Sequence, residues 1–282
     1  MEADRRKVVP MEMAEWYFCW DRFSARDEDP QDRERRNETP MNEMPSNEAL
    51  GRFPVTARSK VRRLSKRGSA ERDQVYAILD AHFLCHIGYV IDGQPYVTPT
   101  GYWRHGDRIY WHGSSASRML RAQTAGIPVC LTVTLLDGLV LARSGFHHSI
   151  NYRSVMAFGQ AAKVEDLEEK TAALNAYVQR LYPGRNAEVR AILPQELKAT
   201  TLLGMTIEEA SAKVRTGPPV DDEPDYALPV WAGVVPLHTV VGAPIADPRL
   251  AAATPFPAHL APYGEGRMLD EVLSETAKDG GY

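Results

Sequence analysis

From Leu84 onward the chain is cut into short β-rich stretches by turn signals, and this rhythm constrains its fold more than any other feature. Leu84–Ile91 reads as a strand, Asp92-Gly93 as a tight turn whose residues both accept positive φ, and Tyr96–Trp103 as the returning strand. His105-Gly106-Asp107 makes the next turn, into a strand at Arg108–His112. Pro128–Leu136, Asp137-Gly138 and Leu139–Arg143 read as a second hairpin, and Tyr152–Val164 as a long strand that Gly159 bulges or bends. Further strands are expected at Met205–Val214 and Val230–Leu237.

Helical spacing falls between these hairpins. Ser69 caps a short helix with Val75, Ile78, Leu79 and His82 on one face, and Ser114–Ala125 forms another, stopped by Gly126. Glu165–Tyr182 is the clearest helix, ended by Pro183-Gly184; shorter ones are expected around Gln195–Leu203 and Arg267–Lys278. Six or seven mostly antiparallel strands with inserted helices predict a mainly β, α+β architecture: a closed or split β-barrel rather than a parallel sheet.

Composition narrows the function classes. A net charge of −4 over 282 residues carries no electrostatic signature of nucleic-acid binding. No apolar run approaches the ~20 residues of a membrane-spanning helix, and no apolar stretch follows the charged start as in a signal peptide. Three widely spaced cysteines, Cys19, Cys85 and Cys130, suit free thiols in a reducing compartment. A soluble, cytoplasmic protein is expected. Residues 1–51 read as a disordered leader, rich in charge and proline, or as the product of a start upstream of Met41 or Met44. The basic run Arg52–Arg72 is a solvated arm or a cover for an anionic ligand or partner subunit, and folded structure is expected from Ser69. Residues 52–244 form the barrel domain and 245–282 a C-terminal extension.

Four segments carry candidate chemistry. In Ile109–Arg118 a strand runs through His112 and Gly113 into Ser114, Ser115 and Ser117, which open a helix just before Arg118. Helix-opening N–H groups, serine hydroxyls and an arginine make an anion site, and glycine lets a ligand approach the backbone. The ordinary alternative is a capped helix with an exposed arginine. In Gly93–Thr100, Pro99 implies an edge or interrupted strand whose freed backbone groups can bond a planar ring. Phe146–Val155 is a polar and aromatic cluster entering a strand, and Lys213 and Arg215 lie two apart on one strand face. His82, Cys85 and His86 lack a fourth ligand at metal-binding spacing, so no metal site is expected. No G-x-S-x-G or G-x-G-x-x-G motif is present.

Taken in order, these segments resemble the pyridoxamine 5′-phosphate oxidase-like FMN-binding split barrels, and within them the nitroimidazole-resistance (Nim-like) flavoproteins. The resemblance runs from about Phe53 to Pro244 through Leu79-Asp80, Cys85-His86-Ile87-Gly88, Asp92-Gly93-Gln94-Pro95-Tyr96, His112-Gly113, Asn151-Tyr152-Arg153-Ser154-Val155 and Trp231-Ala232-Gly233-Val234-Val235-Pro236. It implies a six-stranded antiparallel split barrel that holds FMN across a homodimer interface. It further implies phosphate ligands at Ser117 and Arg118, aided by Gly113 and Ser114 at the helix start, and Val97, Thr98 and Thr100 along the isoalloxazine ring. Arg153 and Ser154 match a stretch that reaches the flavin from the other protomer.

One departure bears on substrate. Where pyridoxal-phosphate-forming oxidases carry an Arg-Leu-His-Asp-Arg clamp, Pro236 here leads into Leu237-His238-Thr239-Val240-Val241-Gly242-Ala243-Pro244. The expectation is therefore an FMN-dependent oxidoreductase acting on a small aromatic or nitro compound, with His112 as candidate proton donor. A non-catalytic flavin carrier or sensor, or a barrel binding haem or another planar ligand, stands as the alternative.

Overall fold

Strands β2 (Leu84–Ile91) and β3 (Gln94–His105) make the hairpin the turn signal announces, with Asp92 at φ 50° and Gly93 at φ 78°. The computed structural model describes residues 51–251 and 254–279, so Cys19 and all of the expected leader except Gly51 lie outside the described residues. The hairpin continues into β4 (Arg108–Ser114), the helix α2 (Arg118–Gln123), β5 (Ala125–Leu141) and β6 (Ser149–Lys163). Before it come β1 (Gly68–Ser69) and helix α1 (Arg72–Asp80). After it come α3 (Leu167–Leu181), α4 (Pro194–Ala199), β7 (Thr200–Thr206), β8 (Glu209–Arg215), β9 (Gly233–Pro236) and α5 (Leu269–Asp279).

The sheet runs β1-β8-β6-β7-β4-β3-β2-β5-β9, and β5 also pairs with β6. That second pairing closes β6, β7, β4, β3, β2 and β5 into a six-stranded antiparallel barrel, as expected. Alternation along the strands fills it: Cys85, Ile87 and Tyr89 from β2 and Val129, Leu131 and Val133 from β5 point inward. Trp111 stands among them and donates its indole N–H to the buried Gln123 Oε1 at 3.1 Å, which ties α2 to the interior. On α1, Val75, Ile78 and Leu79 join the same core, and the Tyr102 hydroxyl bonds the Leu79 carbonyl. A second core forms outside the barrel, where α3 lays Ala173, Leu174 and Ala176 over Trp103, Tyr110 and Leu202.

Several expectations are corrected here. Structure begins well before Ser69: Phe53 is 2% exposed, and Thr56, Arg58 and Ser59 all bond the Glu209 carboxylate, at 2.5, 2.6 and 2.7 Å. This first part of the basic run is a strap held chiefly on Glu209, with Arg58 also reaching Glu208 at 3.4 Å and Arg52 pairing with Glu71 at 3.1 Å. The first helix starts at Arg72, and Ser69 instead pairs with Ala212, its hydroxyl accepting from the Glu71 N–H. Asp137-Gly138 is a register irregularity within one continuous β5, not a hairpin turn. The expected Met205–Val214 strand is two strands, and its first half hides behind a run, Thr201–Met205, buried throughout. With the barrel core on one face and α3 on the other, β7 has no alternation to read. Gly159 marks a close approach: a Cβ there would lie 2.3 Å from the Thr206 carbonyl oxygen.

No helix among the described residues is long and apolar enough to cross a membrane.

Candidate functional site

The barrel has a seam. Strands β3 and β4 pair from Tyr102–Trp111 to His105–Arg108 and then part. Beyond that point β4 carries His112, Gly113 and Ser114 along β7, while Thr100, Pro99, Thr98 and Val97 stay with β2 alone. The stretch Gln94–Gly101 is therefore an open strand edge facing the side β4 has left, which is the interruption that Pro99 implied.

The start of α2 stands at the mouth of this seam. The Arg118 guanidinium lies 4.9 Å over the Tyr96 ring, Tyr96 stacks on Tyr89 at 5.7 Å, and the Tyr89 hydroxyl meets Thr98 Oγ1 at 3.1 Å. Among the described residues no carboxylate pairs with the exposed Arg118. Val97 is 69% exposed and projects from the outer face beside Val90; with Gly88, Pro128, Cys130 and Phe158 they line an open groove of about 370 Å³. Thr98 and Thr100 alternate to the opposite, half-buried side.

The helix start is less of an anion trap than its sequence suggests. Helix α2 begins only at Arg118, and the Ser117 side chain is used as its cap, accepting from the Leu120 N–H. The Ser115, Ala116 and Ser117 N–H groups donate to the Ala199 carbonyl, Ser114 Oγ and the Ser114 carbonyl. A Cβ at 113 would meet Leu120 Cδ1 at 3.0 Å, so that side chain would have to give by a few tenths of an ångström. What remains for an anion is the Arg118 charge and the Arg118 and Met119 N–H groups, which have no acceptor among the described residues.

His112 sits where the strands part, edge-on to Trp103 at 5.7 Å and to Tyr177 at 5.0 Å. Its Nδ1 is buried without a hydrogen-bond partner, and burial pushes its pKa below the ordinary value near 6.5. His82 is shifted the same way, by burial and by neighbouring His86. A histidine whose folded pKa is depressed contributes stability that is complete above the unfolded value and is lost as pH falls below it. Denaturant unfolding is thus expected to show stability falling as pH drops below about 6.5. His112→Phe, which keeps a ring against Trp103, is expected to make that fall shallower, and an unchanged slope would show that His112 does not titrate this way.

Arg153 and Ser154 are elsewhere. The Arg153 guanidinium is gripped by Asp137 at 2.7 and 3.0 Å and by Asp270 of α5 at 2.8 Å, which raises its pKa through those bonds despite partial burial. Ser154 Oγ donates to the Lys213 carbonyl at 3.2 Å. Thr98, Thr100, His112, Gly113, Ser114, Ser117 and Arg118 thus lie along the seam or at its mouth, Val97 turns to the outer face of the same strand, and Arg153 and Ser154 are left on β6. Tyr96, the platform under Arg118, was not anticipated; its place after Gly93-Gln94-Pro95 was the available signal. Asp270 had none, lying 117 residues from Arg153.

A six-stranded antiparallel barrel with one parted seam defines the split-barrel class. The family model for pyridoxamine 5′-phosphate oxidase matches residues 71–214, and the chain belongs to that family. Among solved structures it is similar to the flavocytochrome Anf3 from Azotobacter vinelandii, at 44% identity over 75% of this chain and 98% of that one, with a TM-score of 0.71. It is also similar to the FAD and haem binding protein from Mycobacterium smegmatis, at 40% identity over 72% and 98% of the two chains, TM-score 0.68. A structure described as a 5-nitroimidazole antibiotic resistance protein from Bacteroides thetaiotaomicron matches at 22% identity over 52% of this chain and 86% of that one, TM-score 0.43. No curated protein matches the sequence.

Proposed function

We propose that this chain is a flavin-dependent redox protein that works as a cytoplasmic homodimer, with the flavin at the β3–β4 seam. The observation that carries the reading is the open Gln94–Gly101 edge ending in a cation, Arg118, that has no acidic partner among the described residues. The residues present fit a flavin: an open backbone edge can bond a planar heterocycle, Val97 and Val90 offer apolar contact, and Arg118 can hold phosphate. The buried, unpartnered Nδ1 of His112 supplies a polar group beside that edge. Bound there, a flavin supplies hydride or electron transfer to a small aromatic or nitro compound. The chain's own part is to position it and, at His112, to hold or release a proton.

FMN follows from the phosphate site read in the sequence. The exposed setting of Arg118 also leaves room beyond that phosphate, as an FAD would need, and the Mycobacterium smegmatis protein is named for FAD. Mass analysis of the flavin released on denaturation decides between them. The homodimer is supported by a row of outward apolar side chains, Val90, Val97, Leu136 and Met156, all more than 40% exposed. A role for Arg153 and Ser154 at the flavin requires that second copy.

Haem is a second reading, favoured by the names of both relatives and by His86, an exposed imidazole on the outer face of β2 between Pro99 and Thr132. His82 does not fit an iron ligand: its Nδ1 accepts the Phe83 and Leu84 N–H groups, which leaves the proton on Nε2.

The absorption spectrum of protein purified without added cofactor tests the proposal. Flavin bands are expected, a Soret band would add haem, and a colourless protein that takes up no flavin on reconstitution refutes it. Arg118→Ala is expected to weaken FMN or FAD binding by about 1.5–3 kcal/mol, roughly tenfold or more in Kd, while leaving riboflavin binding unchanged. Equal loss for riboflavin would place the phosphate elsewhere.

A further inference from the structure

A second cavity, of about 290 Å³, opens at one end of the barrel under the C-terminal segment. Its walls come from the α1–β2 junction, the β5 irregularity, the residues after β9 and the start of α5. Leu135, Leu136, Leu237, Met268 and Leu273 supply its apolar walls, beside a polar lining of similar extent. The volume is near the lower end of the range for small-molecule pockets.

The polar groups that converge on it are arranged with a definite charge. Asp137, Asp270 and Arg153 sum to one net negative charge, and both carboxylates already grip the guanidinium. The remaining titratable lining groups are His82, whose pKa burial and neighbouring His86 lower, and His238. Of these, His82 has its tautomer fixed by the two backbone N–H groups its Nδ1 accepts, at 2.9 and 3.0 Å. Its Nε2–H is thereby a donor, with no acceptor among the described residues. An anion entering this space would meet the surplus carboxylate while the arginine is already neutralised. An uncharged or cationic molecule meets no such penalty.

We propose that this cavity binds a small, mainly apolar organic molecule that is neutral or carries an amine, and that it excludes carboxylates and phosphate esters. The assignment rests on the lining alone and stands whether or not the seam holds a flavin.

Three probes of one shape test it: benzylamine, benzyl alcohol and benzoate, titrated into the full-length protein and followed by calorimetry and ligand-observed NMR. Benzylamine and benzyl alcohol are expected to bind, with benzoate at least tenfold weaker than benzylamine. Asp270→Asn, which removes the surplus charge, is expected to narrow that ratio several-fold. Thr239→Trp fills the cavity from an exposed position that the core does not need, and should abolish binding of all three. Benzoate binding as well as benzylamine, binding that survives Thr239→Trp, or no binding by any probe at millimolar concentration each overturns the proposal. The last would be the result if a second copy of the chain plugs the opening.

Discussion

Replacing Gly159 with valine is expected to cost at least about 3 kcal/mol, the upper part of the range for overpacked cores, and to leave much of the chain insoluble. The reason is geometric. A Cβ at this position would lie 2.3 Å from the Thr206 carbonyl oxygen and 2.6 Å from Met205 Cγ. The first of these is backbone, so no rotamer change relieves it. Strand β7 would have to move off β6, and with it the pairing of β7 to β4 that holds His112 and Gly113. Urea denaturation is the check. Alanine is expected to behave similarly but less severely, and a valine variant with an unchanged midpoint would show that β6 and β7 do not approach this closely.

A chain ending at Pro244 is expected to lose a comparable amount or more. It would lack α5, whose Val272 and Leu273 are fully buried against the rest of the protein. At ~1.5–3 kcal/mol for each buried aliphatic side chain, those two residues alone account for roughly 3–6 kcal/mol. Arg180 of α3, itself buried, would also lose its bond to Thr276 at 2.8 Å and keep only the Asp80 carbonyl. Domains of this kind have about 5–15 kcal/mol in total, so the shortened chain should be marginally folded at 25 °C. Thermal unfolding of the two lengths compares them directly. Equal melting temperatures would mean that α5 only decorates the surface.

These two cases show what the sequence could convey and what it could not. Asp92-Gly93 and the alternation on both sides of it identify the β2–β3 hairpin because a hairpin's information is local. The long periodic helix α3 was legible for the same reason. Pro99 marked the open edge, and Arg118 with the serines before it marked the mouth of the seam, since both signals depend on residue type at one place. Other features depend on what lies opposite. Strand β7 is buried on both faces and so shows no period. The run around Arg58 looks like a free basic arm until Glu209, 151 residues away, supplies its carboxylate. The same holds for Arg153: its identity was visible, but its engagement by Asp137 and Asp270 is a property of three distant segments meeting.

The parted seam has one more consequence, for how the molecule stays separate from its neighbours. An unpaired strand edge is a template on which another chain can add a strand, the usual route to edge-to-edge aggregation. The Gln94–Gly101 edge carries two prolines, Pro95 and Pro99, four residues apart and both within an unbroken ladder to β2. A proline is tolerated there only when its missing N–H points away from the paired strand, which here is toward the open side. An incoming strand would thus find two of its acceptors unanswered, and β4 could not pair with β3 past Pro99 without the same loss. The two imino acids keep the barrel open along this edge, and keep that opening from recruiting polypeptide.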